Sequence, residues 1–160
     1  MPIRCGYVTV GFMSATDSIY KAIYRVSGGR LGHNIGTRRV LLLTTIGRRS
    51  GKRRTTPLVY MPITNETPGV RLSADEGFLV AGSNWGGPRD PAWLLNLDAQ
   101  PHVTVQAGTR RHEVSARRAT PEEAAALWPV ACGYNDHWAG YREQCEREIP
   151  LIILEPRAPA

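Results

Sequence analysis

A dense cluster of cationic side chains is the feature of this sequence with the clearest chemical meaning. Arg48, Arg49, Lys52, Arg53 and Arg54 place five positive charges within seven residues. The whole chain has 20 Lys and Arg against 14 Asp and Glu, a net charge of +6, so this cluster supplies most of the excess. Adjacent cations repel one another unless they are solvated or matched by an anion. The cluster therefore predicts a binding site for phosphate or carboxylate groups, with a solvated surface turn as the alternative interpretation.

The motifs of several other chemistries are missing. The sequence has no G-x-G-x-x-G after a strand, no G-x-x-x-x-G-K-[ST] and no G-x-S-x-G, which argues against a Rossmann dinucleotide site, a P-loop and a hydrolase nucleophile elbow. The cysteines are odd in number and scattered, and no histidine lies at ligand spacing from them, so we expect reduced thiols and no metal site. The residues concerned are Cys5, Cys132, Cys145, His33, His102, His112 and His137.

The residues around the cationic cluster predict a β-hairpin that carries it at its tip. Residues 39–46 (RVLLLTTI) are leucine-rich and β-branched and indicate a buried strand, and residues 53–61 alternate as a second strand. Gly47 and Gly51 allow a tight connection between them.

The remaining pattern predicts the element order α-β-β-β-α-β-β-α-α-β. Further strands are expected at 77–83, 102–106, 112–119 and 150–155, and a turn at 84–89. Asp90 and Pro91 indicate a helix start, with the aspartate as cap, and Thr120 with Glu123 forms a capping box. A last helix is expected at 136–146. Strands that arrive as hairpins favour an antiparallel sheet or small barrel, hence an α+β fold.

The amino-terminal region is expected to be an arm at residues 1–16 followed by an amphipathic helix at 17–30. Thr16 or Asp17 would cap this helix, Gly28 and Gly29 would end it, and its apolar stripe would pack on the domain formed by residues 31–160. That stripe consists of Ile19, Ile23 and Val26, with Tyr20 and Tyr24 stacked beside them. A second interpretation is weak contact of residues 17–27 with a membrane surface, with Lys21 and Arg25 on the polar side.

Length and hydropathy favour one cytoplasmic domain. The 160 residues suffice for one core, and no stretch approaches the ~20 consecutive apolar residues that span a bilayer. If the helix at 17–27 contacts lipid, the protein would lie at the inner face of the membrane. The sequence leaves monomer and homodimer open.

Four blocks of the sequence resemble one known family. Residues 44–57 (TTIGRRSGKRRTTP), 82–97 (GSNWGGPRDPAWLLNL), 101–106 (PHVTVQ) and 147–154 (REIPLIIL) are similar to the deazaflavin-dependent nitroreductases and quinone reductases of actinobacteria. With the helix at 121–128, the similarity covers about residues 31–156. The resemblance implies a split β-barrel like that of flavin-nucleotide-binding reductases, with about six mainly antiparallel strands and peripheral helices. It also implies coenzyme F420 as hydride donor.

The resemblance assigns a coenzyme-binding role to three segments. The phosphate and oligoglutamate tail of F420 would meet the hairpin tip, where arginines bind oxygens in bidentate fashion. The ring would lie beside the second strand, with the end of the third strand at its reactive edge and the following helix facing it. Gly82 would let the ring approach the backbone. The residues so assigned are Arg48, Arg49, Ser50, Arg54, Thr55, Thr56, Pro57, Leu58, Ala81, Gly82, Ser83, Asn84, Ala92, Trp93 and Asn96.

The acceptor side departs from the family pattern. Many relatives carry three tyrosines at spacing three before the last strand, where this chain has Asn135, Trp138 and Tyr141. Ser83 or Tyr141 is expected to donate a hydrogen bond or proton to a quinone, enone or nitro oxygen, and Trp138 to stack on a flat acceptor. The chemistry itself would belong to the coenzyme.

Three other functions remain open at this point. A phosphate would also suit the arginines in an enzyme that uses flavin mononucleotide on the same barrel. The missing tyrosines are compatible with a non-catalytic carrier of the coenzyme. Nucleic-acid binding through the basic turn is the weakest alternative, because one short cationic loop is a small electrostatic footprint.

Overall fold

The computed structural model describes residues 13–158 of the chain, and the side chains of residues 17–158. The predicted arm at 1–16 therefore lies mostly outside the described residues. The helices and strands are α1 Met13–Val26, β1 Asn34–Ile35, β2 Arg38–Ile46, β3 Arg53–Thr64, β4 Glu76–Ala81, α2 Ala92–Ala99, β5 His102–Ala107, β6 Arg110–Arg118, α3 Pro121–Tyr134, α4 Asp136–Gln144 and β7 Leu151–Pro156. No helix within residues 13–158 is both long and apolar enough to cross a bilayer.

Six antiparallel strands close into a barrel. The strand order is β2-β3-β4-β7-β6-β5, and β2 pairs with β5 to complete the ring. In that closing ladder Leu41 lies opposite Ala107 and Thr44 opposite Thr104. The predicted α+β fold with a split barrel of about six antiparallel strands is confirmed. The short strand β1, which the sequence did not predict, pairs antiparallel with the start of β2 and is not one of the six strands of the closed ring.

Both faces of the central strands are buried, which explains their continuous apolar runs. Ile152 and Leu154 of β7 face the barrel interior, where they pack with residues of α2. Leu151 and Ile153 alternate with them and pack outward against α3 and α4. Because period-two alternation directs neighbouring side chains to opposite faces, two apolar clusters form around one sheet. The helices α2, α3 and α4 are thereby fixed against the barrel.

Helix α1 is rotated relative to the sequence prediction. It begins at Met13, four residues before Asp17, so neither Thr16 nor Asp17 is its cap, although the predicted end at Gly28 and Gly29 is confirmed by their positive φ angles. The expectation that Ile19, Ile23 and Val26 pack on the domain is wrong, since these side chains are 61%, 48% and 90% exposed.

The tyrosines of α1 provide its packing face instead. Tyr24 is fully buried, and its hydroxyl accepts a 2.8 Å hydrogen bond from Gly108 N while lying 3.0 Å from Val40 O. The Tyr20 hydroxyl donates to Gly32 O. A tyrosine combines a large apolar ring with a polar end that needs a partner when buried, so these contacts set the rotation of the helix.

The starts of α2 and α3 differ in how well local signals predict them. Thr120 and Glu123 form the predicted capping box of α3. Asp90 was expected to cap α2, and this is wrong: Pro91 occupies the N-cap and no side chain caps the helix. The Asp90 carboxylate instead pairs with Arg147 at 2.7 Å and Arg118 at 3.4 Å. Tertiary ion pairs have taken the place of a local cap.

Candidate active site

A cationic cavity of about 750 Å³ opens beside the β2–β3 hairpin tip. Six cations and one carboxylate contribute to its wall, together with hydroxyls and residues of α2. The lining residues are Asp17, Lys21, Arg25, Thr45, Gly47, Arg48, Arg49, Ser50, Arg53, Arg54, Thr55, Thr56, Ala92, Trp93 and Asn96.

The arginines of the hairpin tip are not neutralised by ion pairs within the described residues. Within residues 17–158, no carboxylate pairs with Arg48, Arg49, Arg53 or Arg54. Guanidinium groups bind phosphate and carboxylate oxygens through paired N–H donors. A concentration of such groups in one concave site is suited to a ligand with several negative charges.

Helix α1 adds two cations to the same cavity. The Lys21 ammonium donates to Thr55 O at 3.1 Å and pairs with Asp17 at 2.9 Å. Arg25 Nη2 donates to Thr55 Oγ1 at 2.7 Å. The second interpretation, weak contact of residues 17–27 with a membrane surface, placed Lys21 and Arg25 on the polar side of the helix. Both side chains face the barrel, and membrane contact stays a prediction.

Asn96 of α2 supports the hairpin tip from below. Its side chain is only 5% exposed, accepts a 3.1 Å hydrogen bond from Arg48 N and donates one of 3.1 Å to Thr45 Oγ1. Gly51, at φ +66°, closes the turn with its N–H on Gly47 O at 2.8 Å. Because a buried amide is costly to leave unpaired, these bonds hold the backbone beneath the arginines in place.

A second cavity of about 500 Å³ has mainly apolar and aromatic walls. Its walls come from α1, the β1–β2 hairpin, β3, the end of β4 and the loop after it, α2 and α4. Its lining residues are Tyr20, Ile35, Arg38, Val40, Thr56, Pro57, Leu58, Val59, Ala81, Ser83, Asn84, Trp85, Pro91, Trp93, Asn135, His137, Trp138 and Tyr141.

The two cavities meet along one shared wall. Thr56 of β3 and Trp93 of α2 line both of them. Trp93 is 7% exposed and belongs to the barrel core, which fixes its position. A cationic compartment and an aromatic one are therefore adjacent at these two residues, an arrangement suited to a ligand with an anionic tail and a flat ring.

Helix α4 supplies the aromatic wall opposite the barrel. Asn135 is buried and caps this helix, its Oδ1 accepting from His137 N at 3.2 Å. Trp138 is buried, and the Tyr141 ring packs at 6.2 Å edge-on to Trp85 and at 6.4 Å stacked on His137. Burial raises the pKa of the Tyr141 phenol above 10.0, and the nearby Arg38 charge opposes that rise. Tyr141 is thus a neutral hydrogen-bond donor near neutral pH.

Comparison with known proteins decides which family has this site. Residues 18–156 match the family described as F420H(2)-dependent quinone reductase. The chain belongs to this family. A reductase of the same description from Mycobacterium tuberculosis (strain ATCC 25618 / H37Rv) is 33% identical to it over 143 residues, which is 87% of this chain and 89% of the relative.

Solved structures agree with the assignment. One described as an F420-H2 dependent reductase (FDR-A) is 31% identical, with a TM-score of 0.58 and coverage of 72% of this chain and 93% of that chain. Another, described as a domain-swapped dimer, is 30% identical, with a TM-score of 0.61 and coverage of 89% and 100%. This chain is therefore an oxidoreductase that uses reduced coenzyme F420, and the predicted family, enzyme class and coenzyme are confirmed.

The residues of this reductase fit the coenzyme. Its phosphate and oligoglutamate groups match the charge of the cationic cavity, and its flat ring matches the apolar wall between Thr56 and Trp93. When bound, reduced F420 supplies a hydride. The two cavities of the chain would hold the coenzyme and an acceptor next to each other.

Nearly all residues predicted for the site line one of the two cavities of the reductase. Arg48, Arg49, Ser50, Arg54, Thr55, Ala92 and Asn96 line the cationic cavity; Pro57, Leu58, Ala81, Ser83, Asn84, Trp138 and Tyr141 line the aromatic one; Thr56 and Trp93 line both. Gly82 lines neither. A Cβ at Gly82 would lie 2.8 Å from Leu94 Cδ2 and 3.1 Å from Pro150 Cγ. Glycine at this position therefore allows α2 to pack closely against the end of β4. Binding roles for all of these residues stay predictions.

The contributions of α1 and β2 to the two cavities were not predicted from the sequence. Asp17, Lys21 and Arg25 are spaced four residues apart and therefore share one face of α1. This charged face was a usable signal, but the apolar stripe of the same helix indicated a different packing face. Tyr20 and Arg38 line the aromatic cavity without a motif to mark them. Their placement depends on how α1 and the β1–β2 hairpin pack on the barrel, which spacing alone does not specify.

Proposed function

We propose that this enzyme transfers a hydride from reduced coenzyme F420 to a flat organic acceptor of the quinone class bound in the aromatic cavity. The observation that carries the proposal is the junction of a cationic and an aromatic cavity at Thr56 and Trp93. The names of the family and of the mycobacterial relative favour a quinone over an enone or a nitro compound.

The tail and the ring of the coenzyme would be held by different walls. Arg48, Arg49 and Arg54 would bind phosphate and carboxylate oxygens, aided by Lys21 and Arg25 of α1. Thr56, Pro57 and Trp93 would position the ring at the junction. Binding energy from the remote anionic tail would thereby orient the reacting end, as remote contacts do in other enzymes.

The acceptor would be held between the loop after β4 and α4. Trp138 and Trp85 offer apolar surface to a flat molecule. Reduction of a quinone adds one hydride and one proton, and the product is the hydroquinone. The hydroxyls of Ser83 and Tyr141 would donate hydrogen bonds to the acceptor oxygen as negative charge builds on it, and the proton would follow from Tyr141 or from solvent.

The direct test is oxidation of reduced F420 by menadione, followed through recovery of the visible absorbance of the oxidised coenzyme. We expect turnover that needs protein and both substrates. Parallel reactions with an enone and a nitroaromatic rank the acceptor classes. Tight coenzyme binding without oxidation by any of the three would favour a carrier, and tight binding of flavin mononucleotide without F420 binding would favour the flavin enzyme.

We also propose a homodimer that forms through the outer face of α1. Ile19, Ile23 and Val26 are exposed together there, and the solved relative described as a domain-swapped dimer is 30% identical to this chain. Light scattering during size-exclusion chromatography should give twice the 17.7 kDa chain mass. Ile23→Glu with Val26→Glu should give the monomer, whereas a wild-type monomer at micromolar concentration would rule the dimer out.

A further inference from the structure

The loop between β4 and α2 has a backbone conformation that needs external support. Asn84 and Trp85 have φ angles of +45° and +55°, and they are the only residues other than glycine with positive φ within residues 13–158. This left-handed region is unfavourable for residues with a Cβ, and especially for a bulky one. The same loop presents Ser83, Asn84 and Trp85 to the aromatic cavity. Contacts from elsewhere must keep it in this shape.

Arg147 makes those contacts. It lies in the segment between α4 and β7, and its side chain is 17% exposed. Its Nη2 donates to Gly82 O at 2.9 Å and to Ser83 O at 3.2 Å, and its Nε donates to Gly87 O at 3.0 Å. One guanidinium thus binds the loop on both sides of the left-handed residues.

The rest of the guanidinium is equally occupied. Nη1 donates to Asp90 Oδ1 at 2.7 Å and to Glu148 O at 3.3 Å, so all five N–H groups of Arg147 have an acceptor. Asp90 is in turn held by Arg118. A lysine has three donors on a single nitrogen and cannot reach acceptors spread in this way. The arrangement therefore depends on arginine and not merely on positive charge.

Arg147 connects the two sides of the acceptor cavity without lining it. Its own segment follows α4, which carries Trp138 and Tyr141, and its hydrogen bonds hold the loop that carries Ser83. We propose that Arg147 is a positioning residue for the acceptor, fixing Ser83 relative to Tyr141 so that both hydroxyls can reach the same acceptor oxygen. This inference rests on the proposed use of the aromatic cavity for the acceptor.

A double-mutant cycle of Arg147→Lys and Ser83→Ala tests the inference. Menadione affinity is measured by quenching of tryptophan fluorescence without coenzyme, and KM and kcat are measured with reduced F420. We expect each single variant to weaken menadione affinity about tenfold and the double variant by little more, because neighbours in one network are not additive. Affinity for F420, whose anionic tail would be bound in the cationic cavity, should fall less than menadione affinity in each variant. Independent, multiplying losses would overturn the proposal.

Arg117→Lys is the matched control. Arg117 is another part-buried arginine with ion pairs, to Glu123 at 2.7 Å and Glu155 at 3.1 Å, and it lines neither cavity. It should lower the melting temperature but leave menadione affinity unchanged; an equal loss of affinity would mean that Arg147 acts only through general stability. If Arg147→Lys does not fold, Asp90→Asn replaces it in the cycle with the same criteria.

Hydrogen exchange separates this inference from the proposed function. If the wild type neither binds nor reduces menadione, the proposed function fails, but the support of the loop can still be measured. Arg147→Lys should speed amide exchange in residues 82–91, where Gly86 N and Gly87 N bond within the loop, and Arg117→Lys should not. Unchanged exchange in residues 82–91 would overturn the role of Arg147.

Discussion

Arg25 of α1 donates a 2.7 Å hydrogen bond from Nη2 to Thr55 Oγ1 of β3, inside the cationic cavity. Thr55 Oγ1 also lies 3.0 Å from Thr44 Oγ1 on the paired strand. The helix is thus bonded to the β2–β3 hairpin that carries the arginine cluster. Residues far apart in sequence thus form one cationic cavity.

The first prediction concerns this helix. Arg25→Gln should weaken F420 affinity about fivefold to tenfold, because one charge-assisted contact to an anion is lost from the cavity. Quenching of F420 fluorescence gives the dissociation constant. Arg30→Gln, an exposed cation that lines neither cavity, is the control and should have no effect. Equal affinities of Arg25→Gln and wild type would show that α1 does not contribute.

The second prediction concerns the hairpin tip. Replacing Arg48, Arg49 and Arg54 together by alanine should lower F420 affinity at least about 100-fold, since each charged hydrogen bond contributes about 1.5–3 kcal/mol. It should also flatten the salt dependence of binding. The variant Arg30→Ala, Arg110→Ala, Arg111→Ala removes the same charge away from both cavities and should bind almost normally. A folded tip variant with wild-type affinity would refute the site.

The third prediction concerns the anchor of α1. Tyr24→Phe leaves Gly108 N without its acceptor and should lower the free energy of unfolding by about 1–3 kcal/mol, measured by urea titration. The positions of Lys21 and Arg25 in the cationic cavity depend on the rotation of α1, which Tyr24 fixes. F420 affinity should therefore fall as well. Unchanged stability would mean that water replaces the hydroxyl at no cost.

The fourth prediction is the pH dependence that the same residue confers. Burial raises the pKa of Tyr24 from 10.0 to about 12. Between these values the unfolded chain loses this proton and the folded chain keeps it, so the contribution of Tyr24 is complete below pH 10 and disappears as pH rises to about 12. The stability difference between wild type and Tyr24→Phe should therefore shrink across this interval. A constant difference would contradict the raised pKa.

The fifth prediction concerns the acceptor cavity. Tyr141→Phe should lower kcat with menadione about 100-fold, the lower end of general acid contributions, without changing F420 affinity. Tyr134→Phe is the matched control: the Tyr134 hydroxyl is buried without a hydrogen-bond partner among the described residues, and Tyr134 lines neither cavity. It should keep wild-type turnover. Equal kcat in Tyr141→Phe and wild type would leave Ser83 or solvent as the donor.

The sequence predicts those structural features that residues close together in the chain determine. The hairpin turn at Gly47 and Gly51, and the capping box of Thr120 and Glu123, form from residues within a few positions of one another. The arginine cluster is also local, so its position at a hairpin tip could be derived before the structure. These features needed no knowledge of tertiary packing.

What the sequence could not predict depends on distant partners. Helix α1 has apolar residues on two faces, and the choice between them is made by Gly108, which lies 84 positions from Tyr24. Asp90 has the right type for a cap, yet it pairs with Arg147, 57 positions away. For Asp90, a local capping preference of about 1 kcal/mol yields to a part-buried ion pair. For α1, the buried hydrogen bond of Tyr24 decides which face packs on the barrel.

Consecutive residues of α1 line different cavities. Tyr20 lines the aromatic cavity and Lys21 the cationic one. Each residue of an α-helix turns the chain by about 100°, so any twist of α1 would withdraw one of these side chains while displacing the other. Under the proposed function, selectivity for the electron donor and selectivity for its acceptor are coupled through one helix. A substitution that rotates α1 to alter one selectivity would also alter the other.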